Sequence, residues 1–134
     1  MKGVIVDTCI WSLALRRSNT QDEVISQELT TLIYAECAKI IGPIRQEILS
    51  SYSNFEQYKK LKAKLEYFPN QTLIDDDFIS ASEFSNTCRT KGIQGSHIGF
   101  LICAVADRLK MNIFTCDKDF VFYSKHLPIE LYKK

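Results

Sequence analysis

Asp7 and Asp117 each stand directly after a short apolar run, Gly3 to Val6 in one case and Asn112 to Cys116 in the other, and that shared placement gives them their chemical interest. Runs of this kind suit buried strands of a parallel sheet. In an open α/β sheet, ligands bind at the carboxyl ends of the strands, so the two carboxylates are expected to emerge on one edge and meet there. Hard cations such as Mg2+ or Mn2+ take oxygen ligands, commonly one or two carboxylates with water and substrate phosphate completing the shell. Ions held in this way activate a water, stabilise charge building on phosphorus and support the departing oxygen. Each acid also has a plainer use. Asp7-Thr8 can cap a following helix, Asp117 suits a turn before Lys118-Asp119, and Glu47 by itself reads as a solvated helix residue. On spacing alone, cap and metal ligand stand level for Asp7.

The elements that would position these acids follow from the pattern of apolar residues and breakers. A strand over Gly3 to Val6 leads into a helix through Leu15. Residues 21 to 36 have the spacing of a second helix, with Val24, Ile25, Leu29, Leu32 and Ile33 on one face. Ala38 to Ile41 reads as a strand, broken by Gly42-Pro43, and Ile44 to Ser51 as a helix that carries Glu47. Asn54 caps a helix to about Phe68, ended by Pro69-Asn70. Thr72 to Ile74 is an extended piece, and Asp75 then caps a helix through about Arg89. Ser96 caps a strongly apolar helix through Leu109, and Asn112 to Cys116 forms a strand ending at Asp117. Lys118 to Tyr132 reads as a helical turn and a final edge strand. The alternation predicts a three-layer α/β/α sandwich with a mainly parallel central sheet, without linker or repeat.

Composition narrows the class. At 134 residues with 46% hydrophobic content, the chain is expected to form a single domain over residues 1 to 134 with its own core. No stretch approaches the roughly 20 apolar residues that span a bilayer, so a soluble, cytoplasmic protein without membrane contact is expected. A net charge of +1 is too small to attract nucleic acid by bulk electrostatics. Any such binding would use local basic groups, of which Arg16-Arg17 and the helix-borne Lys59, Lys60, Lys62 and Lys64 are the candidates. The lysines fit a solvated amphipathic face better.

The remaining polar clusters read structurally. Cys9, Cys37, Cys88, Cys103 and Cys116 are odd in number, lack CxxC pairing and sit mostly in apolar runs, as reduced, buried thiols do. Neither His97 nor His126 has a sequence feature linking it to a cysteine nucleophile. Asp75, Asp76 and Asp77 open a helix whose amino-terminal dipole favours negative charge, and Asp107 faces solvent late in its own helix.

Four blocks in order carry a family resemblance: Val6 to Trp11 (VDTCIW), Gly42 to Leu49 (GPIRQEIL), Phe100 to Ala106 (FLICAVA) and Phe114 to Phe120 (FTCDKDF). Together they resemble the PIN domain of VapC-type toxins across essentially the whole chain, a signal more specific than any single acid motif. The resemblance implies a metal-dependent endoribonuclease, the toxin of a type II toxin–antitoxin system, using Mg2+ or Mn2+ to cleave RNA phosphodiesters. It assigns Asp7, Glu47 and Asp117 as catalytic metal ligands, Asp119 as an accessory metal ligand, and Thr8 and Thr115 as hydroxyls that orient the acids or a water. It also implies a homodimer and a cognate antitoxin protein whose helical segment, with an Arg reaching the acids, packs on apolar positions of helices 21 to 36 and 44 to 68.

The departure is Gly99, which occupies the place of the family's third acid, two residues before Leu101-Ile102. In the family pattern this acid shares the metal with the first one. Asp119, Ser96 or His97 could stand in, although histidine suits Mg2+ poorly. The alternative function is therefore a catalytically inactive PIN-domain binding module that keeps antitoxin binding and dimerisation.

Overall fold

The computed structural model describes residues 2–16 and 20–133. In chain order they form β1 (Val4–Val6), α1 (Thr8–Arg16), α2 (Thr20–Tyr34), β2 (Ala38–Lys39), α3 (Gly42–Ser50), α4 (Phe55–Leu65), α5 (Asp75–Thr90), α6 (His97–Leu109), β3 (Asn112–Phe114) and α7 (Asp119–Ser124). Arg17 lies outside the described residues.

The sheet is parallel with the order β2-β1-β3, and β1 pairs Val4 with both Ala38 and Asn112. Successive strand residues point to opposite faces, yet Val4, Ile5 and Val6 are all buried. Both faces are thus covered, as a parallel sheet requires, and the α/β architecture read from the sequence holds. Each fully buried Val or Ile contributes about 1.5–3 kcal/mol of hydrophobic burial. Helix α6 explains its apolar sequence in the same way, because every residue from Gly99 to Ala106 is buried. Trp11 fastens α1 to the end of β1: its indole N–H donates to Val6 O at 3.0 Å, and its ring meets Phe68 edge-on with centroids 5.2 Å apart.

Several boundaries differ from the sequence reading. The strand expected through Ile41 ends at Lys39, followed by a single bridge between Ile40 and Asn70. Helix α3 begins at Gly42, two residues early, because Pro43 enters its first turn with a fixed φ and loses no helical hydrogen bond there. Helix α4 ends at Leu65, and residues 66 to 68 turn beneath Arg45, whose guanidinium donates to Leu65 O at 2.9 Å, to Phe68 O and to the Asn70 side chain. The strand ending at Cys116 stops at Phe114, and the expected final strand is one bridge between Leu131 and Ile113.

The cap of α5 is also corrected. Asp75 does not close that end; the Asp77 carboxylate accepts from Ile74 N at 2.9 Å. Asp77 is buried, and its other bonds come from Arg108 of α6, Nε at 2.7 Å and a second guanidinium nitrogen at 2.9 Å. This forked pair holds α5 against α6 and keeps the Asp77 carboxyl below its ordinary range, through the Arg108 hydrogen bonds first. The lysines of α4 are exposed and Lys62 pairs with Glu66 one turn on, as a solvated face does.

Candidate active site

Because β1 and β3 are parallel neighbours, their carboxyl ends lie side by side, and Asp7 N donates to Phe114 O at 2.9 Å where the two strands finish. The residues that follow each strand are therefore forced together. Asp7 is buried and carries two donors: Thr8 N on Oδ1 at 2.8 Å, and the Thr115 hydroxyl on Oδ2 at 2.8 Å. Thr115 Oγ1 in turn accepts from Asp117 N at 3.0 Å. On the other side the Thr8 hydroxyl donates to Glu47 Oε1 at 2.7 Å, drawing the exposed acid of α3 to the same edge. Two threonines thus join Asp7 to each of the other acids.

Asp7, Glu47 and Asp117 line one cleft of about 290 Å³, with Thr8, Cys9, Ser96 and Gly99 beside them and Ile98, Ile102 and Phe120 as apolar walls. Among the described residues, the lining contains no Lys, Arg or His. Burial raises the Asp7 pKa, the Thr115 and Thr8 hydrogen bonds oppose that rise, and the charges of Glu47 and Asp117 add to it. Asp119 does not line the cleft; its backbone N–H holds Asp117 Oδ1 at 2.9 Å, an Asx turn that sets the acid's orientation. His97 faces a different groove of about 320 Å³ between α5 and α6, with Phe78, Arg89 and Phe100.

The space beside Gly99 is already filled. A Cβ on Gly99 would lie 2.9 Å from Ser96 Oγ and 3.5 Å from the Tyr123 ring. Ser96 holds that position because its hydroxyl caps α6, accepting from Gly99 N at 2.9 Å. A serine oxygen of the cleft wall therefore occupies the neighbourhood of the missing carboxylate. Tyr123 packs closely because Gly95 lacks a side chain: a Cβ there would come 2.0 Å from the Tyr123 hydroxyl.

The donor set suits a hard divalent cation. It is rich in oxygen, carries three carboxylates without an ion-pair partner among the described residues, and includes one acid whose pKa is raised by burial and, beyond that, by the charges of the other two. Among the described residues, no three His, Cys, Asp or Glu side chains converge as a ready-made ligand group. An ion at this cleft would be shared between the carboxylates and water, which is how Mg2+ is commonly held.

The sequence reading missed Cys9 and Cys116. Contrary to buried, inert thiols, Cys116 is exposed and Cys9 half-buried, with Cys9 Sγ 3.8 Å from Asp7 Oδ2 and 3.1 Å from Cys116 N. The available signal was positional: each cysteine stands within two residues of an acid expected at the shared edge. Cys37, Cys88 and Cys103 are buried as read, and burial pushes the Cys103 thiol far up.

No family model matches the sequence, and neither does any curated protein. Solved structures do match. The chain is similar to one in FitAcB from Neisseria gonorrhoeae, with TM-score 0.78 and 17% identity, covering 97% of this chain and 96% of that one. It is similar to a chain of VapBC2 from Rickettsia felis bound to a DNA fragment from their promoter, with TM-score 0.72, 18% identity and 96% of each chain covered. A chain of VapBC-1 from nontypeable Haemophilus influenzae matches with TM-score 0.70, 15% identity and 98% of each chain covered. At these identities the shared property is the fold, and the chain has the PIN-like α/β fold of these VapBC and FitAcB neighbours.

Proposed function

We propose that this chain is the toxin component of a type II toxin–antitoxin system, a Mg2+- or Mn2+-dependent endoribonuclease whose ligands are Asp7, Glu47 and Asp117. The observation that carries the reading is the cleft itself, where Thr8 ties Glu47 to the Asp7 turn and Thr115 bridges the Asp7 carboxylate and the Asp117 backbone, with no basic residue in the lining among the described residues. The bound ion supplies Lewis-acid stabilisation of phosphate and a more acidic water. The chain's own residues do the positioning. Thr115 and Thr8 fix the Asp7 carboxylate, Thr8 fixes Glu47, and the Asp119 amide fixes Asp117. Glu47 and Asp117, both exposed, are placed to accept a proton from an attacking water, and the Ser96 hydroxyl is available to donate to a phosphate oxygen. Cleavage of structured RNA by the purified chain, abolished by EDTA, is the expected result; cleavage indifferent to the chelator refutes the metal chemistry.

The likeness to chains of VapBC and FitAcB supports an antitoxin partner and self-association. No helix among the described residues is long and apolar enough to cross a membrane.

Gly99 favours a second reading, a binding module that keeps the fold and the partner surfaces without cleavage. Expression of the chain and of Gly99→Asp in the same host separates the two. Growth arrest by both forms supports the nuclease; arrest by Gly99→Asp alone supports the inactive module.

A further inference from the structure

Cys9 and Cys116 are brought together by the same parallel pairing that joins the acids, although 107 positions separate them. Cys9 Sγ accepts from the Cys116 backbone N–H at 3.1 Å and lies 3.5 Å from the Thr115 hydroxyl. A sulfur this close to its partner's backbone sets the two cysteines side by side where β1 and β3 finish. Cys116 is exposed and Cys9 opens onto the cleft, whereas Cys37, Cys88 and Cys103 are buried. We propose that Cys9 and Cys116 form an oxidative modification site, a thiol pair that peroxide converts to a disulfide across the acid-bearing edge of the sheet.

The reaction balances with hydrogen peroxide as the two-electron oxidant. The exposed Cys116 sulfur attacks peroxide, an S–O bond forms as the O–O bond breaks, and one water is released. Cys9 sulfur then displaces the hydroxyl of the sulfenic acid, the S–S bond forms, and the thiol proton leaves with a second water. The bond would tie the β1–α1 turn to the β3–α7 connection and withdraw Cys9 from Asp7 and Thr115. Formation of the disulfide does not depend on the nuclease reading; any effect on RNA cleavage rests on it.

The test treats the full chain with excess hydrogen peroxide and follows intact mass and peptide maps. The expected product is lighter by about 2 Da, links the Cys9 and Cys116 peptides, and returns to the starting mass with dithiothreitol. Cys9→Ser and Cys116→Ser each abolish that species, and alkylation of the untreated chain shows Cys116 reactive, which confirms that the thiol is accessible. Stable addition of oxygen without a link, an unchanged mass, or a link that survives either substitution overturns the proposal. Because the readout is mass, a chain that does not cut RNA still decides it.

Discussion

Thr8 reaches from the first turn of α1 to donate its hydroxyl to Glu47 Oε1 at 2.7 Å, tying an acid on α3 to the end of β1. The bond is solvent-exposed, so its contribution to stability is small, about 0.5–1 kcal/mol. Its consequence for activity is larger, because Glu47 would otherwise be a free side chain on a helix surface. Thr8→Val is expected to lower kcat/KM on RNA about tenfold while leaving the melting temperature within a few degrees, and Thr8→Ser to recover most of the loss. Equal losses in both variants would remove the positioning role.

Asp7 predicts an opposition between stability and activity. Its folded pKa is raised by burial first, with the charges of Glu47 and Asp117 adding, so the carboxyl is harder to ionise in the folded than in the unfolded chain. Ionised Asp7 therefore destabilises the metal-free protein, most fully above the folded pKa, and the penalty shrinks as pH falls through that pKa and is gone below the unfolded value. Asp7→Asn keeps the shape without the charge and is expected to stabilise the metal-free chain by about 1 kcal/mol at neutral pH. Denaturation in EDTA at several pH values checks this: the advantage should shrink toward acid, and an advantage independent of pH would contradict the assignment.

Asp77 behaves in the opposite sense. Arg108 depresses its pKa, so the pair stabilises the fold above the unfolded carboxyl pKa and the contribution is lost as pH falls through the lower folded value. Asp77→Ala removes the acceptor of Ile74 N and of Arg108 Nε, leaving Arg108 its bond to Thr72 O at 2.8 Å, and should cost about 3 kcal/mol. The loss should be full at pH 7 and vanish in strong acid, as urea unfolding at the two pH values would reveal.

These two aspartates also mark what the sequence discloses. Asp7 and Asp117 are legible because each ends an apolar run, and parallel pairing leaves such residues no other place than a shared edge. Glu47 is legible only through resemblance, since nothing local distinguishes it from a solvated helix acid. Asp77 reads as one of three acids at a helix start, and its difference is set by Arg108, 31 residues away. Element ends shift where Pro43 enters a helix or where a strand shortens to a single bridge, effects of tertiary pairing that local pattern does not encode.

Gly95 and Gly99 are predicted to differ. Alanine at 95 meets the Tyr123 hydroxyl, its ring carbon at 2.7 Å and Phe100 at 2.9 Å, all inside packed aromatic rings, and should cost 2 kcal/mol or more, on the order of other overpacked sites. Tyr123→Phe in the same chain should restore part of that loss. Alanine at 99 meets only the Ser96 hydroxyl at short range, which can rotate, and a better helix residue replaces Gly, so the net change should stay within about 1 kcal/mol. Thermal unfolding of the three variants decides the ranking.

The proposed metal-dependent cleavage is measured most directly as RNA cleavage by the purified chain and by Asp7→Asn while Mn2+ is titrated into EDTA-treated protein. Cleavage is predicted to rise with Mn2+ from a negligible base and to fall by about 100-fold or more in Asp7→Asn, a variant that remains folded. Equal cleavage by the two proteins, or no rise with Mn2+ or Mg2+ in either, would contradict it.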